Sequence, residues 1–258
     1  MSAELELPQE LPRAWREHPM LAGDRSRWSS LDAVGDDEGV LLTVQRAGRR
    51  TLLGLGDARR VDELLEELLA RPFAPVGWMS LPRDTRVDER ALSVLGLAPF
   101  STWDWLVAHR APDVDDPHGV DRLPRDAGPE VAECLVVANP GSSADPHDAT
   151  PPGWWGARRD GRLVAVGGAR LRGGLPGRHG RSWHVHGLGV RPELRGQGLG
   201  RAVAAAIARD AFTEGVDWVS LGVYADNHPA RRLYTGLGFE VRAQFRSFGP
   251  AGAGRPPS

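Results

Sequence analysis

Apolar and polar residues alternate along the second half of the chain with the spacing of short strands and helices. The predicted strands 154–159 and 162–171 flank Asp160-Gly161, a dipeptide that strongly favours a hairpin. A third strand, 184–190, precedes a glycine-rich segment and an alanine-rich helix that ends near Glu214. The other elements predicted here are a strand at 103–110, a helix at 129–138, a strand at 217–224, a helix ahead of Gly238 and a strand at 238–248. This order predicts an α/β (α+β) fold.

The first hundred residues carry a shorter version of the same pattern. The predicted elements are strands at 40–46 and 51–55 around Ala47-Gly48-Arg49, a helix from Asp57 to Pro72, a strand at 76–81 and a helix at 88–95 closed by Gly96. This order of strand, strand, helix, strand and helix resembles the second half of the C-terminal region.

Segments rich in proline and polar residues divide the chain. We expect a domain at 1–98, a second domain at 99–249 and a disordered tail, rich in Gly and Pro, at 250–258. Residues 1–25 contain three prolines and are expected to be extended, with one short helix at most. Residues 111–125 are rich in Asp and Pro and have the composition of a linker.

Composition excludes several classes of protein. The net charge is −2 and the arginines are scattered among acids, which argues against a nucleic-acid partner. No stretch approaches the roughly 18 apolar residues of a membrane span, and residues 1–9 lack a signal-peptide pattern, so we expect a cytoplasmic protein without a membrane partner. The single Cys134 excludes an intrachain disulfide.

The glycine-rich segment Arg195–Gly200 has the composition of a phosphate-binding loop. Its three glycines let a ligand approach the backbone, and the first turn of the following helix has N–H groups without intrahelical partners. A Walker loop would need Gly-Lys-Ser/Thr and a Rossmann loop would need G-x-G-x-x-G, and the segment has neither. The remaining pattern is Arg-x-x-Gly-x-Gly.

Two segments together resemble the GNAT N-acetyltransferase superfamily. Leu188-x-Val190-x-Pro192-x-x-Arg195-Gly196-x-Gly198-Leu199-Gly200 is similar to motif A, which binds the pyrophosphate of acetyl-coenzyme A. Asn227-His228-Pro229-Ala230-Arg231-Arg232-Leu233-Tyr234-x-x-Leu237-Gly238-Phe239 is similar to motif B. The resemblance covers roughly residues 100–248 and implies a GNAT fold, with a mixed, mostly antiparallel sheet and flanking helices.

The first domain has two possible interpretations. When the closing glycines are matched, Leu92 falls where Tyr234 stands, and no Arg-x-x-Gly-x-Gly precedes it. Residues 1–98 are then a degenerate GNAT-like copy that binds no coenzyme of its own. The alternative is an unrelated small α/β lid.

The resemblance implies a set of coenzyme-binding residues. They are Leu188, Gly189, Val190, Arg195, Gly196, Gln197, Gly198, Leu199, Gly200, Arg201, Asn227, Ala230 and Arg231. The backbone N–H of Val190 would stabilise the oxyanion that forms on the thioester carbonyl. For Asn227 a helix-capping role competes with a bond to the pantetheine arm.

The resemblance also implies proton-transfer groups. Tyr234 would be the general acid that protonates the leaving thiolate. The position where many relatives carry a glutamate base is His184, and His186 points to the same face because side chains alternate along a strand. Water could replace either histidine. We expect no metal site, because spacing supplies no third ligand beside the two histidines.

The implied function is an acetyl-CoA-dependent N-acetyltransferase that acts on a small amine or a peptide, as a monomer or homodimer. Two alternatives are an acyltransferase with a longer acyl-CoA donor and a non-catalytic coenzyme-A-binding sensor or scaffold. Trp154, Trp155 and Trp183 border the expected acceptor side, although aromatic residues at such spacing more often belong to a core. The acceptor itself is not identified by these patterns.

Overall fold

The computed structural model describes residues 11–23, 31–46, 49–72, 75–115, 117–148, 152–173 and 180–254. Its α-helices are α1 Arg13–Arg16, α2 Pro19–Ala22, α3 Ala58–Leu69, α4 Glu89–Leu95, α5 Gly128–Ala138, α6 Leu199–Thr213 and α7 His228–Thr235. Its strands are β1 Leu31–Gly35, β2 Gly39–Arg46, β3 Arg49–Gly56, β4 Trp78–Pro82, β5 Ala98–Ala108, β6 Asp121–Arg122, β7 Pro152–Arg159, β8 Arg162–Arg172, β9 Ser182–Val190, β10 Trp218–Tyr224 and β11 Glu240–Gly249. Within these ranges, every helix is too short or too polar to cross a lipid bilayer.

Most of the predicted elements are present, with ends shifted by a few residues. The hairpin at Asp160-Gly161 joins β7 to β8, Asp57 caps α3 through its carboxylate, and Gly96 ends α4 in the left-handed conformation. Each of these signals acts through the local backbone, so it does not depend on distant packing.

The structure adds three details near the ends of the chain and in the predicted linker. Residues 11–23 of the expected extended lead form two short helices, and His18 caps the second of them. Strands β1 and β6 were not predicted from the sequence. Strand β1 lies at the edge of the sheet and pairs only with β2, and β6 has only two residues. Residues 250–254 of the predicted tail contain a turn, whereas residues 255–258 lie outside the described ranges.

The chain divides into two compact units. The first contains 1–105, 224–226 and 243–258, and the second contains 106–223 and 227–242. The expected boundary after residue 98 therefore differs from the division observed. The division differs because β11, near the end of the sequence, pairs with β4 of the first unit. The paired residues run from Phe245↔Pro82 to Phe248↔Met79.

In the first unit the strand order is β1-β2-β3-β4-β11. Strands β1, β2 and β3 form an antiparallel meander, α3 crosses over, and β4 runs parallel to β3. The apolar face of α3 packs on this sheet through Val61, Leu64 and Leu65.

In the second unit the strand order is β5-β10-β9-β8-β7-β6. Strands β7, β8 and β9 form an antiparallel meander, α6 crosses over, and β10 runs parallel to β9. The order of elements from β1 to β4 thus repeats the order from β7 to β10. Whether residues 1–98 are a degenerate copy stays a prediction.

Helices cover two faces of the second unit's sheet. Helix α6 is almost wholly buried, since the alanines from Ala202 to Ala208 let it lie close to the strands. Trp155 and Trp183, each 1% exposed, belong to that core, and Trp154 packs with α5 on the other face. The three tryptophans are therefore core residues.

Candidate active site

A bulge reshapes the end of strand β9. The register between β8 and β9 shifts between Val166↔Gly189 and Gly168↔His186. Gly187 lies there with φ 61°, in the left-handed region, and a Cβ at this position would lie 2.7 Å from the Trp154 ring. Gly187 therefore permits the bulge both by its backbone conformation and by its lack of a side chain.

Beyond the bulge, β9 presents backbone groups away from β8. Paired residues of β9 and β10 run from Ser182↔Trp218 to Val185↔Leu221, while β9 itself continues to Val190. The Arg191 N–H donates to the Val164 carbonyl at 2.9 Å. Because successive N–H groups of a strand alternate in direction, the Val190 N–H points to the β10 side. This is the orientation that an oxyanion donor requires.

The glycine loop follows directly. Gly196 and Gly198 have φ values of 78° and 85°, and Gly198 precedes α6 without a side-chain cap. The first intrahelical bond runs from the Ala202 N–H to the Gly198 carbonyl at 3.0 Å. The preceding N–H groups of α6 have no intrahelical acceptor, so this turn can bind an anion at the positive end of the helix dipole.

Two predicted coenzyme-binding arginines lie against other parts of the protein. The Arg195 guanidinium donates to the carbonyls of Val190 at 3.2 Å and Ala138 at 3.1 Å, and so ties the end of α5 to the end of β9. A Cβ added to Gly236, at the end of α7, would lie 3.0 Å from Arg201 Nη1, so the Arg201 side chain reaches α7. Direct contact of either side chain with phosphate stays a prediction.

The structure brings the two motifs together at Gly200. A Cβ on this glycine would lie 3.3 Å from side-chain atoms of both Val190, on β9, and Leu233, on α7. Helix α6 therefore starts in contact with the strand end and with the helix that carries Tyr234. Ala230 packs against the same core.

Tyr234 is 6% exposed and meets the Phe239 ring edge-on, with ring centroids 5.7 Å apart. Burial raises the pKa of its hydroxyl well above the ordinary value of about 10. The hydroxyl therefore keeps its proton throughout the neutral range.

Asn227 caps α7, since its Oδ1 accepts from the Ala230 N–H at 3.1 Å. We expect Asn227→Ala to lower the free energy of unfolding by about 1 kcal/mol. Asn227→Ser should restore most of it, because serine also caps helices. Urea unfolding measures both changes, and an unchanged Asn227→Ala protein would contradict the capping role. A raised KM for acetyl-CoA in the stable serine variant would indicate that the Asn227 side chain also contacts the pantetheine arm.

The two histidines of β9 differ in their surroundings. His184 Nδ1 lies 3.1 Å from Ser220 Oγ, on the neighbouring strand β10. The His186 ring lies against Trp154 with centroids 5.1 Å apart, and its Nδ1 is buried without a hydrogen-bond partner among the described residues. Burial lowers the pKa of His186 to about 4, and the charges of Arg170 and Arg172 contribute to that lowering. His186 is therefore neutral at pH 7.

Several residues around the site were not predicted. Asn139, at the end of α5, donates from Nδ2 to the Leu188 carbonyl at 3.0 Å and so holds the bulge. Ser220 orients His184, and His118 lies beside Gly198. Asn139 follows a predicted helix and precedes Pro140, so the sequence could have identified it as the residue that ends the helix. The sequence could not have identified its hydrogen-bond partner, the Leu188 carbonyl. Within the described ranges, no group of three His, Cys, Asp or Glu side chains could hold a metal ion.

Comparison with curated proteins finds acetyltransferases. Mycothiol acetyltransferase of Acidothermus cellulolyticus is 39% identical over 211 residues, which cover 78% of this chain and 57% of that relative. Mycothiol acetyltransferase of Thermobispora bispora is 39% identical over 89 residues, which cover 34% of this chain and 30% of that relative. The chain thus matches less than two thirds of the length of these relatives.

Comparison of folds agrees with the architecture of the sheet. A solved GCN5-related N-acetyltransferase from Kribbella flavida superposes with a TM-score of 0.56 at 20% identity, over 93% of this chain and 96% of that chain. The predicted fold, with a mixed, mostly antiparallel sheet and flanking helices, is confirmed. Residues 125–239 match the sequence model of the acetyltransferase (GNAT) family. This part of the chain is similar in sequence to GNAT acetyltransferases.

Proposed function

We propose that the chain is an acetyl-CoA-dependent N-acetyltransferase in which an amine attacks the thioester directly. The observation that carries this proposal is the arrangement around Gly200. The phosphate loop, the outward N–H of Val190 and the helix of Tyr234 converge there. An acyl transfer needs an anchor for the donor, an oxyanion donor and an acid for the leaving group, and these three elements supply them.

The loop would hold the coenzyme through its pyrophosphate. The N–H groups of residues 198–201 face the ligand at a helix N-terminus, and no side chain at Gly198 blocks them. With the pyrophosphate fixed there, the pantetheine arm extends along β9 and adds to the side of the strand that β10 leaves open. The acetyl carbonyl then accepts from the Val190 N–H.

Tyr234 would donate a proton to the sulfur as the C–S bond breaks. Its raised pKa keeps the hydroxyl protonated until the thiolate leaves. The new C–N bond forms to the acetyl carbon, the oxyanion collapses as the C–S bond breaks, and coenzyme A leaves as the free thiol. The amide nitrogen then gives up its extra proton, which restores the hydroxyl of Tyr234.

The amine must reach the site without its proton, and His184 would accept that proton. At the strand rise of about 3.3 Å per residue, His184 and His186 lie roughly 20 and 13 Å before Val190, so water would have to link either ring to an amine near Val190. His186 is the poorer base, because its pKa of about 4 lies far below the working pH. His184 differs from His186 in that its Nδ1 has a partner, Ser220 Oγ at 3.1 Å.

A pH profile separates the two histidines. A histidine base must be neutral, so kcat/KM falls as the pH drops below its pKa. We expect an acid limb in the kcat/KM profile that disappears in His184→Gln together with about a tenfold or greater loss of rate. His186→Gln is the matched control and should retain the limb. A limb near pH 4 that His186→Gln removes would assign the base to His186 instead.

We propose a mycothiol-type amine as the acceptor, because the curated relatives are mycothiol acetyltransferases. The test is the release of free thiol from acetyl-CoA in the presence of a panel of acceptors. The panel contains mycothiol-type amines, polyamines, aminoglycosides and peptides. Turnover with a mycothiol-type amine alone supports the proposal. Turnover only with another class would replace this acceptor, and no turnover with any acceptor would contradict the enzyme function.

A further inference from the structure

The last residues of α5 lie directly on strand β9, beside the bulge. A Cβ added to Gly189 would lie 3.0 Å from Ala138 Cβ and 3.1 Å from Asn139 Cβ, so a larger residue there would crowd the end of the helix. Asn139 is the residue at which α5 ends, and its N–H bonds to the Leu135 carbonyl at 2.9 Å. The helix and the glycine together therefore hold Asn139 against the strand.

Two carbonyl groups of β9 point to the edge that β10 leaves open. The Arg191 N–H bonds to β8, and bonded residues alternate along an antiparallel strand, so Gly189, paired with Val166, also directs its N–H to β8. The N–H and C=O of a trans peptide point in opposite directions. The Leu188 and Val190 carbonyls therefore point away from β8. They belong to the two peptide groups on either side of the one that carries the Val190 N–H.

Each of these two carbonyl oxygens accepts a hydrogen bond from a side chain. Asn139 Nδ2 donates to the Leu188 carbonyl at 3.0 Å, and Arg195 Nε donates to the Val190 carbonyl at 3.2 Å. Arg195 also donates from Nη2 to the carbonyl of Ala138, the residue before Asn139, at 3.1 Å. We call Asn139 and Arg195 the carbonyl brace, because together they connect the end of α5 to both sides of the Val190 N–H.

The carbonyl brace bears on the charge that the proposed reaction creates. When the amine attacks, the thioester oxygen becomes an oxyanion, and the Val190 N–H would stabilise it. A carbonyl oxygen on the same edge carries a partial negative charge and repels that oxyanion. A donor on each carbonyl oxygen weakens this repulsion and fixes the orientation of the peptide group, and the guanidinium of Arg195 adds a positive charge.

We propose that Asn139 and Arg195 are positioning residues for the transfer step. Through the two flanking carbonyls they fix the Val190 N–H toward the thioester oxygen and reduce the repulsion between these carbonyls and the oxyanion. The inference rests on the proposed function, because it takes the Val190 N–H as the oxyanion donor. It gives Arg195 a role in the chemical step, which differs from the predicted contact with phosphate.

Asn139→Ala removes one donor of the carbonyl brace. We expect kcat to fall about tenfold or more, which is less than the roughly 10² to 10³ for loss of an oxyanion donor itself. The acceptor in this assay is the compound of the acceptor panel that the wild type acetylates fastest. The calorimetric affinity for coenzyme A, which has no acetyl group, should stay at the wild-type value, because the brace acts on the acetyl carbonyl.

Infrared difference spectroscopy gives a second measurement that needs no acceptor. The probe is acetyl-CoA, isotope-labelled at the acetyl carbonyl carbon and bound to the full chain. A hydrogen bond to a carbonyl lowers its stretching frequency, so the bound probe should absorb at a higher frequency in Asn139→Ala than in the wild type. Asn139→Asp, which keeps the shape of the side chain but replaces the donor with an acceptor, repeats both measurements if the alanine variant is unstable.

Glu130→Gln is the matched control, because it weakens another contact between α5 and the sheet. Glu130 pairs with Arg158 of β7, away from the open edge of β9. We expect the control to keep the wild-type kcat, affinity and infrared frequency. Arg195→Gln tests the other half of the brace, and it should lower kcat and raise the frequency with an unchanged affinity for coenzyme A.

Two results would overturn the proposal. Wild-type kcat and frequency in a folded Asn139→Ala protein would show that the bond to the Leu188 carbonyl does not influence the transfer step. A lower affinity for coenzyme A in Arg195→Gln, with kcat unchanged, would make Arg195 a phosphate ligand instead.

Failure of this inference and failure of the proposed function give different results. If the wild type transfers acetyl groups and both brace variants do so at the same rate, only the positioning role is wrong. If the wild type binds no acetyl-CoA or acetylates no acceptor of the panel, the proposed function is wrong and the inference falls with it.

Discussion

Gly198→Val is expected to abolish acetyl-CoA binding, with a loss of affinity of at least about 100-fold. Gly198 has φ 85°, where a β-branched residue is strained by about 1–3 kcal/mol. Its new side chain would also start 3.2 Å from His118 Nε2, on the surface proposed to receive the pyrophosphate. Calorimetric titration measures the loss of affinity.

The control for backbone strain is Gly215→Val. Gly215 has φ 75°, and a Cβ added to it would meet no atom within 4 Å, so the substitution carries a similar backbone cost away from the loop. We expect Gly215→Val to lose stability to a similar degree and to keep its affinity for acetyl-CoA. Wild-type affinity in a folded Gly198→Val protein would show that the pyrophosphate binds elsewhere.

Tyr234→Phe is expected to reduce kcat by roughly 10² to 10⁴, the range for loss of a general acid. The phenyl ring should still pack against Phe239, so the fold and the affinity for acetyl-CoA should be nearly unchanged. Steady-state rates on an acceptor that the wild type uses, together with calorimetry, separate the two effects.

The chain offers a matched control, because it has only one other tyrosine. Tyr224 is 46% exposed, and Tyr224→Phe should turn over as the wild type does. If Tyr234→Phe turned over at the wild-type rate, Tyr234 would not be the general acid. The assignment of the helix and of the fold would be unaffected.

The parts of the site that could be predicted from the sequence are those set by local backbone chemistry. The Arg195–Gly200 loop, the following helix and the Asp160-Gly161 hairpin have short-range signals, and they occur where expected. The bulge at Gly187 has such a signal in principle, since an isolated glycine in a strand favours one.

Contacts between distant segments could not be predicted in the same way. The bond from Asn139 to Leu188 and the approach of His118 to Gly198 join segments that are 49 and about 80 residues apart. No local pattern carries such information, because it depends on how α5 and the predicted linker pack. The role of Arg195 depends on its two carbonyl partners and that of His186 on its burial, and neither can be read from the local sequence.

The pairing of β11 with β4 has a consequence for how the protein folds during synthesis. The edge of β4 is available to residues 245–248 only after most of the chain has left the ribosome. Until then its N–H and C=O groups can recruit another strand, which is a route to aggregation. Closing so long a loop also slows folding. The first unit is therefore completed late, although its residues are made first.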